Sequence, residues 1–174
     1  MSGPDQLLPR PEAPRPEAPR PEPLRSEPVR LAPVRPEDRA ALAALRVAPE
    51  QASFVATNAA SLAEADEDPG ACPRAILAGE RLVGFLMYDA TETEGEARIY
   101  RFMIDRAEQG RGYGRAALGA ALREIEALEH VRAVTICYEP ANVAARRMYA
   151  AAGFREEGLD EDGEMIARLA GFRA

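Results

Sequence analysis

Gln109-Gly110-Arg111-Gly112-Tyr113-Gly114, with Arg115 behind it, opens a stretch in which Leu118, Ala121, Leu122, Ile125 and Leu128 recur at helical spacing. A β-rich run from about Glu96 to Asp105 precedes it, so the order is strand, glycine-rich turn, helix. Free backbone N–H groups at the positive end of a helix dipole make an anion site, and phosphate is its natural ligand. Glycine is needed there because the loop must bring its backbone against the phosphate oxygens, and Arg111 and Arg115 can add charge-assisted hydrogen bonds. The spacing is not the dinucleotide fingerprint, because the third glycine comes one residue too early counted from Gly110. Nor is it a Walker phosphate loop, whose Gly-Lys-Ser/Thr ending is missing.

Downstream, Val131 to Tyr138 is a second β-rich run, and Pro140 starts a helix that reaches about Ala152 before Gly153-Phe154. Asn142 and Tyr149 lie seven residues apart on that helix. Seven residues are about two turns, so the two side chains share one face. Taken alone, the pair also fits a helix whose asparagine merely starts it and whose tyrosine packs in a core. Upstream, Val29 and Leu31 read as a short strand, and Pro36-Glu37-Asp38 opens a helix to about Arg46. Residues 50–66 read as a further helical region, broken at Pro69-Gly70. Strands are expected at Arg74 to Ala78 and Leu82 to Tyr88 around Gly79-Glu80, then near Phe154 to Glu156 and Glu164 to Leu169. The pattern is mixed α/β, with more strands than helices.

Residues 1–28 hold nine of the fifteen prolines, in a five-residue repeat seen at Pro11 to Arg15 and again at Pro16 to Arg20. Such a stretch has little to bury and favours extended conformations, so it is expected to be a disordered tail, with the domain running from 29 to 174. At 174 residues, 47% apolar and 29% charged, the chain suits one soluble domain. No apolar run approaches the roughly 20 residues of a membrane span, and Met1 to Arg10 lacks the layout of a secretory signal, so a cytoplasmic location is expected. A net charge of −7 argues against nucleic acid as a partner and suits small cationic ones. All 22 basic residues are arginine, which excludes Schiff-base and phosphate-loop lysines. Cys72 and Cys137 are far apart and His130 is the only histidine, so neither a zinc site nor a Cys-His pair is expected, and Cys137 reads as a core thiol.

Together, Gln109-x-x-Gly112-x-Gly114 and Asn142-x-x-Ala145-x-x-x-Tyr149-x-x-x-Gly153-Phe154 resemble the two motifs of the GNAT superfamily of acetyl-coenzyme A dependent N-acetyltransferases, from about Val29 to Leu169. The resemblance implies a central mixed, mostly antiparallel sheet of six to seven strands with about four flanking helices. Its fourth and fifth strands, here Glu96 to Asp105 and Val131 to Tyr138, would splay apart to admit the cosubstrate. A narrower likeness to the bacterial spermine/spermidine acetyltransferases runs through Val47 to Gln51, Phe54-Val55, Asn58, Ser61 to Ala63, Arg101 to Asp105 and Tyr138 to Pro140. Ala60 departs from that branch where an aromatic residue is expected, and Arg98 with Tyr100 replaces its Trp-x-Trp pattern.

What the resemblance implies for individual residues is specific. The backbone of Met103 and Ile104 would pair with the pantetheine arm of acetyl-CoA. The segment Gln109, Gly110, Arg111, Gly112, Tyr113, Gly114 and Arg115 would hold the pyrophosphate, and Asn142 would hydrogen-bond the arm near the thioester. Tyr149 would protonate the leaving thiolate, since a phenol of reference pKa about 10 is protonated at neutral pH. A primary amine would attack directly, with no metal and no acyl-enzyme. Some relatives use a strand glutamate as base where Arg98 stands here, so the base stays open, with Glu139 a candidate and a carboxylate at the start of the next helix its plain alternative. Glu50, Asp105 and Glu139, with Glu92 and Glu94, would attract a polyamine. The alternatives are another amine (a peptide N-terminus, a lysine side chain or an aminoglycoside) or a non-catalytic acyl-CoA binding module. A homodimer is common among proteins with this resemblance.

Overall fold

The computed structural model describes residues 27–171, so residues 1–26 of the proline-rich tail and the last three residues lie outside the described residues. Seven strands form one sheet: β1 (Val29–Pro33), β2 (Ala71–Ala78), β3 (Arg81–Asp89), β4 (Glu96–Ile104), β5 (Ala133–Tyr138), β6 (Arg155–Leu159) and β7 (Met165–Ala170). Their order is β1-β2-β3-β4-β5-β7-β6, and every neighbouring pair is antiparallel except β4 with β5. Four helices flank it: α1 (Arg39–Ala44), α2 (Asn58–Glu67), α3 (Tyr113–Glu126) and α4 (Val143–Ala151). Among the described residues no helix is long and apolar enough to cross a membrane.

Each face of the sheet carries its own core. Leu118, Ala121 and Ile125 on α3, with Tyr149 of α4, pack against Leu86, Ile99, Val134 and Ile136. On the opposite face Leu42 of α1 and Leu62 of α2 cover Ala75, Phe85, Met87 and Met103. Burial of a side chain such as Leu118 or Ile125 contributes roughly 1.5–3 kcal/mol. Those alternating faces explain why β3 reads as a continuous apolar run, being covered on both sides from Val83 to Ala90.

The opening in the sheet has a local cause. In the pairing of β3 with β4, Tyr88 faces Ile99 and Met87 faces Arg101, so Tyr100 is the extra residue of a bulge. A bulge bends its strand and ends regular pairing. The parallel register of β4 with β5 runs only from Glu96 opposite Ala133 to Ile99 opposite Ile136, and Tyr100 to Ile104 have no β5 partner. The gap widens toward the C-terminal ends of both strands.

Several boundaries differ from the sequence reading. The stretch 50–66 is not one helix: a 3-10 turn at Pro49–Gln51 is followed by an irregular link, and α2 starts only after Thr57, whose Oγ1 accepts the Ala60 N–H at 3.3 Å. The first helix ends at Ala44 rather than Arg46, because Leu45 is already extended. Strand β2 begins at Ala71 and passes through Pro73; β1 pairs no further than Arg74, so Pro73 withholds no donor from it.

Candidate active site

The turn after β4 is built by a carboxylate. Asp105 accepts the Arg46 N–H on Oδ2 and the Ala107 N–H on Oδ1, both at 2.9 Å, and so aims the chain toward α3. Gln109 then reaches back. Its Nε2 donates to the Ile104 carbonyl at 3.0 Å and to Gln51 Oε1 at 2.8 Å, which ties the loop to the end of β4 and to the Pro49–Gln51 turn. Gly110 and Gly112 adopt φ of 77° and 82°, values that L side chains rarely take, and Gly112 is the residue from which α3 starts. Among the described residues the first-turn N–H groups of α3 have no hydrogen-bond partner, and Gly112, Tyr113 and Gly114 line the adjoining cleft, as an anion site requires.

The cleft beside this loop has a volume of about 250 Å³. Phe102, Met103 and Ile104 supply its β4 wall, Gly110, Gly112 and Gly114 its loop end, and Asn142, Met148 and Tyr149 its α4 wall. Gln109 and Tyr113 also line it, whereas Arg111 and Arg115 do not. Arg111 is drawn to Glu108 at 3.4 Å, and Glu108 is also paired with Arg81 at 2.7 Å. Val47, Gln51, Phe54 and Val55 roof the cleft; the sequence reading gave these four residues no role beyond family likeness. Apolar residues on an irregular link carry no periodic signal to expose them.

Asn142 both caps its helix and faces the cleft. Its Oδ1 accepts the Ala145 N–H at 3.1 Å and caps α4, while its amide nitrogen has no partner among the described residues and the residue lines the cleft. Tyr149, two turns along, is 5% exposed, with its ring between Tyr138 (centroids 5.2 Å apart) and Phe154 (5.9 Å). Gly153, at φ 96°, turns the chain so that Phe154 reaches that ring, which accounts for the Gly153-Phe154 ending of the motif. The Tyr149 hydroxyl has no hydrogen-bond partner among the described residues, and burial, with Tyr138 adding to it, pushes its pKa well above that of a free phenol.

A second cavity, of about 340 Å³, adjoins the first. Phe54, Val55, Phe102, Asn142 and Tyr149 line both. The rest of its wall includes Ser53, Arg98, Arg101, Cys137, Tyr138 and Glu164. Cys137 is half-buried on the uncovered side of β5 rather than in the core, with Arg98 Nη2 3.5 Å from its sulfur. Burial pushes that thiol up, against the pull of Arg98, and leaves it a poor nucleophile. Among the described residues, neither Glu50, Asp105 nor Glu139 lines either cavity. Glu139 follows β5, and its carbonyl accepts the Asn142 N–H at 2.8 Å.

Comparison with known proteins agrees with this geometry. The acetyltransferase (GNAT) family model matches residues 40–154. The chain is 30% identical over 137 residues to the spermine/spermidine N(1)-acetyltransferase of Bacillus subtilis (strain 168), covering 75% of this chain and 90% of that protein. It matches equally a probable spermine N(1)-acetyltransferase of Bacillus subtilis subsp. natto. Among solved structures, an aminoglycoside acetyltransferase AAC(6')-Ib in complex with coenzyme A superposes with a TM-score of 0.69 at 19% identity, over 82% of this chain and 94% of that one. Mycobacterium smegmatis RimJ in complex with CoA-disulfide gives 0.67 at 22% identity, over 82% and 81%. At such identities the two structures bear on the fold, and the family match carries the rest: the chain belongs to the GNAT acetyltransferase family and is an acetyl-CoA-dependent N-acetyltransferase.

Proposed function

We propose that this enzyme acetylates a primary amine of a polyamine such as spermidine or spermine, by direct attack of the amine on acetyl-CoA with Tyr149 as general acid. The observation that carries this reading is the position of Tyr149, a protonated and unpartnered phenol in the wall shared by the two cavities. The 250 Å³ cleft takes the acetyl-CoA arm. Its pyrophosphate lies against the N–H groups from Gly110 to Arg115, and the unpaired β4 edge at Met103 and Ile104 offers backbone groups to the pantetheine. The free Asn142 amide donates to the same arm near the thioester. Arg111 and Arg115 stand beside the loop as cations that an incoming phosphate can draw in.

The amine enters from the second cavity and attacks the thioester carbonyl, and the phenol hands its proton to the departing sulfur. Support for a polyamine comes from the names of the two Bacillus relatives and from the net charge of −7, which favours arrival of a small polycation. Glu50 and Glu139 add to that field, while Asp105, bound by two backbone N–H groups, acts chiefly on the turn.

The test is thiol release from acetyl-CoA by the full chain with spermidine, spermine, a short diamine and a lysine-containing peptide. Saturable turnover of the polyamines is expected. Turnover confined to the peptide would overturn the polyamine reading, and tight acetyl-CoA binding without turnover of any amine would leave a binding module.

A further inference from the structure

We infer that Glu164, in the wall of the second cavity, receives the ammonium group of the incoming amine and takes its proton before attack; the inference rests on the acetyl-transfer reading above. Three observations place it there. Glu164 lines the same cavity as Asn142 and Tyr149 and, unlike them, does not line the cleft beside the glycine-rich loop. Its carboxylate has neither a hydrogen bond nor an ion pair among the described residues, although its backbone is fully used: the N–H donates to Asp160 Oδ1 at 2.8 Å and the carbonyl accepts from Asp160 N–H at 2.9 Å. The turn between β6 and β7 thus presents the side chain without needing it. Finally, Glu139 does not line the cavity, and Arg98 and Arg101, which do, are cations that accept no proton.

The charges around Glu164 suit a group that must take up a proton and give it away. Asp160 on its own hairpin and Glu139 beyond β5 are negative, Cys137 of β5 is a protonated thiol, and Arg98 and Arg101 of β4 are positive. The Asp160 carboxylate, the Glu164 carboxylate and the Cys137 sulfur lie within 4.8 Å of one another. Burial first, then Asp160 and Glu139, raise the Glu164 carboxyl above the ordinary range, with the two arginines opposing. A cationic ammonium replaces the missing partner, and a raised carboxyl is a better base than a free one.

The proton count closes. The ammonium gives one proton to Glu164, which passes it to solvent. The freed lone pair forms the C–N bond to the acetyl carbon. As the C–S bond breaks, the thiolate takes the Tyr149 proton, and the phenol is restored by the second proton from the nitrogen.

The experiment measures kcat/KM for the amine and for acetyl-CoA from pH 6 to 10 in the parent, E164Q and E164D, using whichever amine of the panel above the parent turns over. E164Q is expected to lower kcat/KM for the amine about 100-fold at pH 7, with acetyl-CoA binding by calorimetry unchanged. That loss should shrink as pH rises and the amine arrives already neutral, and E164D should recover part of it. A loss of equal size at every pH, or activity within about twofold of the parent at pH 7, overturns the assignment. If the parent acetylates only a non-polyamine, the polyamine reading fails while the same pH comparison still decides Glu164.

Discussion

Asn142 and Tyr149 stand two turns apart on one face of α4, and each lines both cavities, so one helix supplies the wall that the two cavities share. The rest of the helix fixes that wall. Oδ1 of Asn142 starts the helix, and the aromatic rings of Tyr138 and Phe154 clamp the tyrosine on either side.

Tyr149→Phe keeps both ring contacts and removes only the hydroxyl. We expect kcat to fall by about 100-fold or more, with the thermal midpoint and the acetyl-CoA Kd unchanged. Because burial raises the phenol, the parent should keep its acid through the ordinary tyrosine range near pH 10 rather than lose it there. Steady-state rates set beside calorimetric binding check this; a variant with parental kcat removes Tyr149 from the chemistry.

Gly112→Asp challenges the anion site twice. At φ 82° any Cβ costs about 1–2 kcal/mol of backbone strain, and a carboxylate beside the α3 N-terminus repels phosphate. No heavy atom lies within 4 Å of the Cβ position, so the damage comes from conformation and charge rather than from a clash. Acetyl-CoA binding should weaken by about tenfold or more, and Gly112→Ala should weaken it less. Equal affinities in the two variants, read by calorimetry, would mean that charge at this position is not felt by the ligand.

The motifs were legible because their residues are fixed by local rules. Gly110 and Gly112 are demanded by positive φ, Asn142 by the helix cap, and Gly153-Phe154 by the reversal that packs a ring on Tyr149. The splayed strands followed from the family likeness, but their cause, the bulge at Tyr100, depends on cross-strand register and has no local signature. Which carboxylates line a cavity depends on register in the same way. Asp105 and Glu139 sit near strand ends in sequence, yet Asp105 is spent on two backbone N–H groups and neither lines a cavity, whereas Glu164, read as the start of a strand, lines the second one. The 50–66 helix failed where composition suggested continuity and Thr57 imposed a fresh start.

Glu156 joins α4 to β5 and β6. It accepts the Tyr138 hydroxyl at 2.7 Å and both Nε and Nη2 of Arg146, at 2.6 and 2.9 Å, and these bonds, Tyr138 foremost, hold its carboxyl below the usual range. A carboxylate depressed in the fold contributes stability above its unfolded pKa, about 4.3, and loses it as pH falls through the lower folded value. Glu156→Gln should therefore melt below the parent at pH 7, and the difference should close on acidification below about pH 4. A gap that stays constant to pH 2 in circular-dichroism melts would show that the carboxylate charge contributes nothing.

Gln109 is the motif residue whose placement differs most from a direct phosphate contact. Its amide nitrogen bridges the Ile104 carbonyl and Gln51 Oε1, and that same Gln51 oxygen accepts the Ala48 N–H at 3.2 Å. One side chain thus joins the roof of the cleft, the end of β4 and the glycine-rich loop. Gln109→Ala should weaken acetyl-CoA binding by up to about tenfold, the scale of one or two lost hydrogen bonds, without changing kcat at saturation. Gln51→Ala removes part of the same link. Because the two act through one bond, the double variant should fall short of the summed effects by about 0.5 kcal/mol or more. Additive losses in a calorimetric double-mutant cycle would mean that Gln109 works through the ligand rather than through the loop.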